Sequence, residues 1–159
     1  MALAGEVAKY IIKSLPVDNL KLQKLLYYSQ AAHLVLNKVP LFPEPIEAWD
    51  YGPVVPPVYQ EYKSYGFDIL PPLDEPVNLE LGEIRSVDMA IDCFGEMSGP
   101  ALINQTHGEP PWKNHYRPGR PSNTISLDSI YGFFKNNLEF TEDEINQPAR
   151  KRTGYGCFR

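Results

Sequence analysis

The chain has 159 residues, of which 43% are hydrophobic and 22% are charged, and its net charge is −5. This length and composition favour one folded domain and exclude a disordered chain. The longest uncharged stretch, 25–37, is much shorter than the roughly 20 apolar residues that cross a bilayer. Proline occurs 16 times, about twice its ordinary frequency, so we expect short elements joined by stiff connections.

The charge distribution and the N-terminus bear on location and partners. Glu6 and Lys9 interrupt any apolar region of a signal peptide, so we predict a cytoplasmic protein without membrane contact. An acidic chain gives no electrostatic reason to expect nucleic-acid binding, since that affinity comes largely from neutralised phosphates. The last ten residues are the exception, because they carry four cations and no acid.

The first two predicted elements are helices. Apolar residues recur every four positions from Leu3 to Leu15, which is the spacing of one helical face, and Pro16 ends that helix. Asn19 is typical of an N-cap for a second helix that runs to about Asn37. Apolar residues lie almost all the way round this second helix, so we expect it to be central and buried.

The middle of the chain alternates between proline-rich segments and short elements. Four prolines between positions 39 and 55 exclude a long helix there, and the run 46–51 favours a short extended segment. A third helix is predicted from about Pro56 to Gly66, because proline is tolerated in a first turn and glycine commonly ends a helix. A stiff, proline-containing loop should follow.

Further helices and a second short strand complete the prediction. The acidic segment 73–98 has apolar residues at helical spacing, so its acids should form the solvent face of a fourth helix. Ser98 and Ser126 are typical of caps for two shorter helices, 124–125 favours a strand, and a capping box at Thr141 predicts one last turn. We therefore predict a mainly α protein, which forms a single compact domain of about six helices around the central one. One short two-stranded β element is compatible with this prediction.

Four blocks of sequence, taken in order, resemble the SocA-like Panacea domain. The first is the run LKLQKLLYY at 20–28. The other three are rich in proline and aromatic residues: LFPEPIEAW at 41–49, YGPVVPPVY at 51–59 and THGEPPW at 106–112. The resemblance covers roughly residues 3–137, so the C-terminal part of the chain lies beyond it.

The resemblance implies both an organisation and a function. It implies a Panacea-like helical domain over 1–140, with 141–159 as a C-terminal extension that ends in the basic tail. It also implies an antitoxin that neutralises a cognate toxin by direct protein–protein binding. As an alternative, the protein would act as an adaptor that delivers the toxin to an ATP-dependent protease. Neither activity requires a cofactor, and we predict none.

One local pattern offers groups for catalysis, and it contains Thr106, His107, Glu109 and His115. An imidazole near a carboxylate is the minimum for proton transfer, so a further alternative is an enzyme that reverses a toxin's modification with His107 and Glu109. The spacing is not that of a zinc-protease helix, and we predict no metal site. We favour a structural role for these residues and expect a protein that is not an enzyme.

Polar residues also occur along the central helix. Lys21 and Lys24 flank Gln23, and we expect a solvated first turn there, with the rim of a partner-binding cleft as the alternative. His33 lies in the most apolar part of the same helix. We predict that it is a hydrogen-bonded core histidine rather than a metal ligand.

Aromatic residues carry the main functional prediction. Tryptophan and tyrosine combine large apolar area with polar tips and are frequent anchors of protein interfaces. For Trp49 and Trp112 the alternative is a core position in which the indole N–H donates to a backbone carbonyl. The predicted partner-contact residues are Trp49, Tyr51, Pro53, Tyr59, Tyr62, His107, Glu109, Trp112 and Tyr116.

Overall fold

A computed structural model describes residues 1–120 and 122–137. Over these ranges the chain forms seven α-helices, one 3₁₀ turn and a three-stranded sheet. The elements are α1 Ala4–Ser14, α2 Asn19–Asn37, β1 Ile46–Trp49, β2 Gly52–Val54, α3 Pro56–Tyr62, the 3₁₀ turn Lys63–Tyr65, α4 Leu81–Phe94, α5 Gly99–His107, α6 Pro110–Lys113, β3 Thr124–Ile125 and α7 Leu127–Phe134. The prediction of a mainly helical, compact domain is confirmed. No helix in the described ranges is long and apolar enough to cross a membrane.

Helix α2 is the centre of the fold, as its sequence predicts. Helices α1, α4, α5 and α7 pack around it. Its two adjacent tyrosines, Tyr27 and Tyr28, are fully buried. The ring of Tyr28 stacks on Phe94 of α4 with centroids 3.7 Å apart, and the edge of Phe134 of α7 meets Tyr27 at 5.6 Å. The apolar surface all round α2 is therefore covered by neighbouring helices.

The start of α2 differs from the prediction by one residue. Asp18, not Asn19, is the N-cap, because its Oδ1 accepts a hydrogen bond from the backbone N–H of Lys21 at 2.8 Å. Asn19 is the first helical residue, and its Nδ2 donates to the backbone carbonyl of Tyr59 at 3.2 Å. Asn19, which the sequence predicted as the N-cap, therefore makes a long-range hydrogen bond instead.

The sheet is antiparallel, with strand order β2, β1, β3. Trp49 pairs with Gly52 across the β1–β2 hairpin, and Ile46 pairs with Ile125 of β3. Gly52 adopts a φ of 104°, a conformation that side chains disfavour. The predicted strand segments at 46–51 and 124–125 thus pair through β1 and β3, and β2 is the strand that the sequence did not predict. The β1–β3 pairing ties a distant part of the chain to the hairpin.

Two other segments complete the description. The segment 106–122 begins with the last two residues of α5 and contains the four-residue helix α6. The proline-rich loop after α3 is fixed where the N–H of Leu70 donates to the carbonyl of Val17 at 2.9 Å. The turn predicted at Thr141, the basic tail and the predicted domain boundary at 140 lie outside the described residues.

Candidate functional site

Three side chains hold the turn between β1 and β2: His107 at the end of α5, and Trp112 and Tyr116 from the segment that follows. The indole N–H of Trp112 donates to the carbonyl oxygen of Trp49 at 2.8 Å. Nε2 of His107 lies 2.9 Å from the carbonyl oxygen of Asp50, which can only accept, so Nε2 carries the proton. The hydroxyl of Tyr116 donates to the carboxylate of Asp50. These bonds fix the backbone of the hairpin at Trp49 and Asp50.

The same three rings form a stack. His107 and Trp112 have centroids 4.1 Å apart at an angle of 26°, and Trp112 and Tyr116 are 4.5 Å apart at 16°. Helix α6 makes this arrangement possible, since prolines occupy its first two positions and the N–H of Tyr116 donates to the carbonyl of Trp112 at 2.9 Å. The stack is therefore held in two ways: the ring faces contact one another, and the polar atoms of the rings form hydrogen bonds with the hairpin.

A cleft of about 570 Å³ lies beside the hairpin. We call it the aromatic cleft. Its lining residues include Trp49, Tyr51, Tyr59, Tyr116, Arg117 and Arg120. Within it, the rings of Trp49 and Tyr59 meet edge to face at 5.0 Å, and Tyr51 is 63% exposed. Exposed aromatic surface on a fixed backbone is the usual composition of an interface anchor.

Two polar side chains of α2 form hydrogen bonds with backbone groups at the end of the hairpin. Oε1 of Gln23 accepts from the N–H of Val55 at 2.9 Å, and Nζ of Lys24 donates to the carbonyl of Pro53 at 3.2 Å. Both side chains are fully buried, so the expectation of a solvated turn or a cleft rim was wrong for them. The proline-rich segment leaves backbone groups without strand partners, and these side chains pair with them.

Lys24 is a cation in an apolar setting. Burial lowers its pKa to about 7, and Asp18 opposes that shift only in part. Within the described residues, Lys24 forms no ion pair with a carboxylate. One feature of the sequence indicates that Lys24 is buried. Helix α2 is apolar on every side, so it has no exposed face for a lysine.

Glu109, which directly precedes α6, is buried, and both of its carboxyl oxygens accept hydrogen bonds. The hydroxyls of Tyr27 and Tyr28 donate to them at 3.1 and 3.0 Å. Burial raises the pKa of Glu109 to about 8, while these hydrogen bonds act in the opposite direction. Burial also raises the pKa of each tyrosine well above its ordinary value. Glu109 therefore joins α2 to the start of α6 through these hydrogen bonds, and its burial favours the protonated acid.

The structure does not bring the predicted acid and base together. His107 hydrogen bonds to the hairpin backbone, whereas Glu109 hydrogen bonds to the tyrosines of α2. Nδ1 of His115 lies 2.7 Å from the carbonyl of Pro111. Each group thus has a hydrogen-bond partner within the fold, and Glu109 is buried.

The predicted contact residues fall into two groups. Pro53, Tyr62 and Glu109 are buried, and burial raises the pKa of Tyr62 to about 12. The others lie on the hairpin, on α3 or in the stack. They are Trp49, Tyr51, Tyr59, His107, Trp112 and Tyr116. Sequence reasoning missed Arg117 and Arg120, which lie just beyond the last recognisable block.

The tryptophans combine both predicted roles. Trp112 is half-buried and donates to a backbone carbonyl, as the core alternative requires. Trp49 is also half-buried, but its indole N–H donates to the carboxylate of Glu47 at 3.0 Å. Trp49 lines the aromatic cleft, whereas Trp112 positions the hairpin that forms it.

The structure confirms that His33 is a hydrogen-bonded core histidine, as predicted. It is buried, its Nδ1 lies 2.8 Å from the Ser86 hydroxyl, and Asn37 is a second neighbour at 3.0 Å. Burial lowers the pKa of this imidazole. Across 1–120 and 122–137, no group of three or more histidine, cysteine or acidic side chains is placed to hold a metal ion.

The fold and this site define a small helical domain with a braced aromatic cleft. The chain belongs to the family described as "Antitoxin SocA-like, Panacea domain", whose model matches residues 22–113. It is also similar to "Antitoxin SocA" of Caulobacter vibrioides (strain NA1000 / CB15N), with 31% identity over 117 residues. That alignment covers 62% of this chain and 59% of the relative, so the chain spans about three fifths of the relative's length. No solved structure matches the chain.

Proposed function

We propose that this protein is an antitoxin that neutralises a cognate toxin by direct binding through the aromatic cleft. Membership of the SocA-like Panacea family and the name of the curated relative support the antitoxin role. We further propose that residues 1–140 form the domain that carries this activity, that 141–159 extend it, and that the protein acts in the cytoplasm.

The observation that carries the proposal is the fixed position of the exposed rings. Tyr51 projects from a hairpin whose backbone is held by Trp112 and His107, and it is 63% exposed. A surface that is ordered before binding loses little conformational entropy when a partner docks. Such an anchor suits binding to another polypeptide.

The geometry supports binding over catalysis. A general acid or base must reach the proton that it transfers, through a direct contact or one water. Glu109 is only 4% exposed and is occupied by two tyrosines, and His107 is stacked against Trp112. These contacts favour a structural role for both residues.

The test is co-expression with the product of the adjacent gene, as the candidate toxin. We expect co-purification of the two proteins and relief of growth arrest. Tyr51→Ala should weaken the complex at least about tenfold, as expected for an interface anchor. Phe67→Ala is the matched control, because Phe67 is 80% exposed on the loop after α3 and does not line the cleft.

Two results would contradict the proposal. Growth arrest that persists despite co-expression would remove the antitoxin role for this pair. Equal loss of affinity from Tyr51→Ala and Phe67→Ala would remove the aromatic cleft as the contact surface. Measuring toxin half-life in the same cells separates simple binding from the adaptor alternative, since only an adaptor shortens it.

A further inference from the structure

Two arginines line one side of the aromatic cleft. Arg117 and Arg120 are exposed and belong to the loop that follows the aromatic stack. Nη1 of Arg117 donates to the carbonyl oxygen of Tyr116 at 2.7 Å. In the described part of the chain neither guanidinium forms an ion pair with a carboxylate. The cleft therefore offers two cationic groups that retain donors for a ligand.

The nearby carboxylates are already occupied. Asp50 lines the cleft, and its carboxylate accepts the hydroxyl of Tyr116. Glu47 of β1 does not line the cleft, and it accepts the indole N–H of Trp49. Hydrogen bonds from neutral donors leave both carboxylates charged. Asp50 is nevertheless the one acid among the described residues that line the cleft, against the two arginines, so the lining carries an excess positive charge although the whole chain has a net charge of −5.

We propose that the aromatic cleft binds an acidic peptide segment of the partner. In this arrangement carboxylates of the segment pair with Arg117 and Arg120, and an apolar side chain packs against Trp49 and Tyr59. Guanidinium groups bind carboxylates through two parallel hydrogen bonds, which fixes the segment's position as well as its charge. The inference rests on the proposed function, because it specifies the part of the toxin that this site recognises.

The size and charge of the cleft favour a peptide over other anions. A volume of about 570 Å³ lies in the range of pockets that hold small ligands and short segments, and it is too small for a folded domain. Nucleic-acid affinity grows with the number of phosphates that a protein neutralises. Two cations in an acidic chain supply little of that affinity, whereas they match two carboxylates of a peptide.

The experiment measures the dissociation constant of the complex between this protein and the toxin from the adjacent gene, at low and high salt. The cleft variant is Arg117→Glu/Arg120→Glu. The control is Lys63→Glu/Arg85→Glu, two exposed cations outside the cleft, and both variants carry the same net charge. We expect the cleft variant to bind at least about tenfold more weakly than the control. Its affinity should no longer fall with added salt and should rise where salt screens the repulsion between the new glutamates and the acidic segment.

A second measurement identifies the occupant directly. Tyr51, which is exposed at the cleft, is replaced by the photoreactive p-benzoylphenylalanine, and the cross-linked product is digested and sequenced by mass spectrometry. We expect a toxin peptide that contains aspartate or glutamate beside an apolar residue. A toxin peptide without acids, or a cross-link that nuclease removes, would overturn the inference.

The two proposals fail in different ways. If the wild-type protein does not bind the toxin, the proposed function fails and this inference with it. If the wild-type protein binds but the two double variants weaken the complex equally, only the acidic-segment inference is overturned. The control variant also reports long-range charge effects, since it changes the net charge by the same amount.

Discussion

The indole N–H of Trp112 donates to the carbonyl oxygen of Trp49, which joins α6 to the end of β1 across 63 positions of sequence. This bond lies between the aromatic stack and the hairpin that carries Tyr51. It makes the position of an exposed ring depend on a residue that is itself half-buried. Substitutions at Trp112 should therefore affect stability and partner affinity together.

Trp112→Phe tests that coupling. Phenylalanine keeps a ring for the stack with His107 and Tyr116 but leaves the Trp49 carbonyl without its donor. We expect a loss of about 1 kcal/mol in the free energy of unfolding, measured by urea denaturation, and a weaker complex with the toxin. In Trp49→Phe the lost bond is to a carboxylate that water can solvate, so the stability cost should be smaller. Equal costs for the two variants would contradict this account.

Lys24→Met tests the buried amine under the hairpin. Because burial lowers the pKa of Lys24 to about 7, the unfolded chain binds more protons than the folded one between pH 7 and about 10.5. The stability contributed by this group is therefore present above pH 10.5 and is lost as the pH falls to 7. Methionine removes that penalty and also loses the bond to Pro53. We expect a net gain of about 1 to 3 kcal/mol at pH 7.

The pH dependence distinguishes this explanation from a simple packing effect. The difference in unfolding free energy between Lys24→Met and wild type should shrink steadily from pH 7 to pH 10. Other titrating groups are common to both proteins and cancel in this difference. A gain that does not change with pH would show that the charge of Lys24 is not its source.

Much of the fold follows from local sequence patterns. The apolar surface of α2 predicted a central helix, Ser98 and Ser126 predicted two caps, and 46–51 predicted the extended segment. These features depend on periodicity and on hydrogen bonds between residues that are close in sequence. The structure confirms the central helix and both caps, with Ser98 and Ser126 accepting from backbone N–H groups three residues ahead. The extended segment is confirmed for Ile46–Trp49, whereas Tyr51 lies in the turn that follows.

The site depended on contacts that sequence reasoning could not place. Gln23, Lys24 and Glu109 belong to residue types that are usually exposed, and their burial is decided by distant groups that need partners. For Gln23 and Lys24 these are backbone groups of the proline-rich segment, and for Glu109 they are the hydroxyls of α2. The pairing of Ile46 with Ile125 is equally non-local. The aromatic residues of the cleft were therefore predictable in part from the sequence. The buried polar residues that hold the surrounding backbone were not.

Gly52→Ala tests the close contact between the hairpin and α2. A Cβ at this position would lie 2.7 Å from Cε of Lys24 and 2.8 Å from Oγ1 of Thr106, at a φ of 104° that alanine disfavours. We expect the free energy of unfolding, measured by thermal or urea denaturation, to fall by about 2 to 3 kcal/mol. Adding Lys24→Ala should recover only the part of the loss that comes from the contact with Lys24, which a double-mutant cycle measures. Gly132→Ala is the control, since its Cβ would meet nothing within 4 Å, and a similar loss there would contradict this explanation.

Glu109→Gln separates the structural role of this acid from the catalytic alternative. Burial raises the pKa of Glu109 from 4.5 to about 8, so between these values the folded protein holds a proton that the unfolded chain releases. The stability contributed by this group is full below pH 4.5 and is lost as the pH rises to 8. Glutamine keeps an acceptor and a donor for the two tyrosines without a charge. We expect the variant to exceed wild type by about 1 to 3 kcal/mol at pH 8.5 and to match it near pH 4.5.

The same variant has a functional readout in cells. On the structural account Glu109 acts through Tyr27 and Tyr28, so Glu109→Gln should protect against the toxin as well as wild type does. His107→Gln should behave differently, since it removes a ring from the stack and alters the bond to Asp50, so both stability and toxin affinity should fall. Loss of protection in Glu109→Gln, with unchanged stability and toxin binding, would instead support the enzyme alternative. The structural account therefore requires that protection follows binding in both variants.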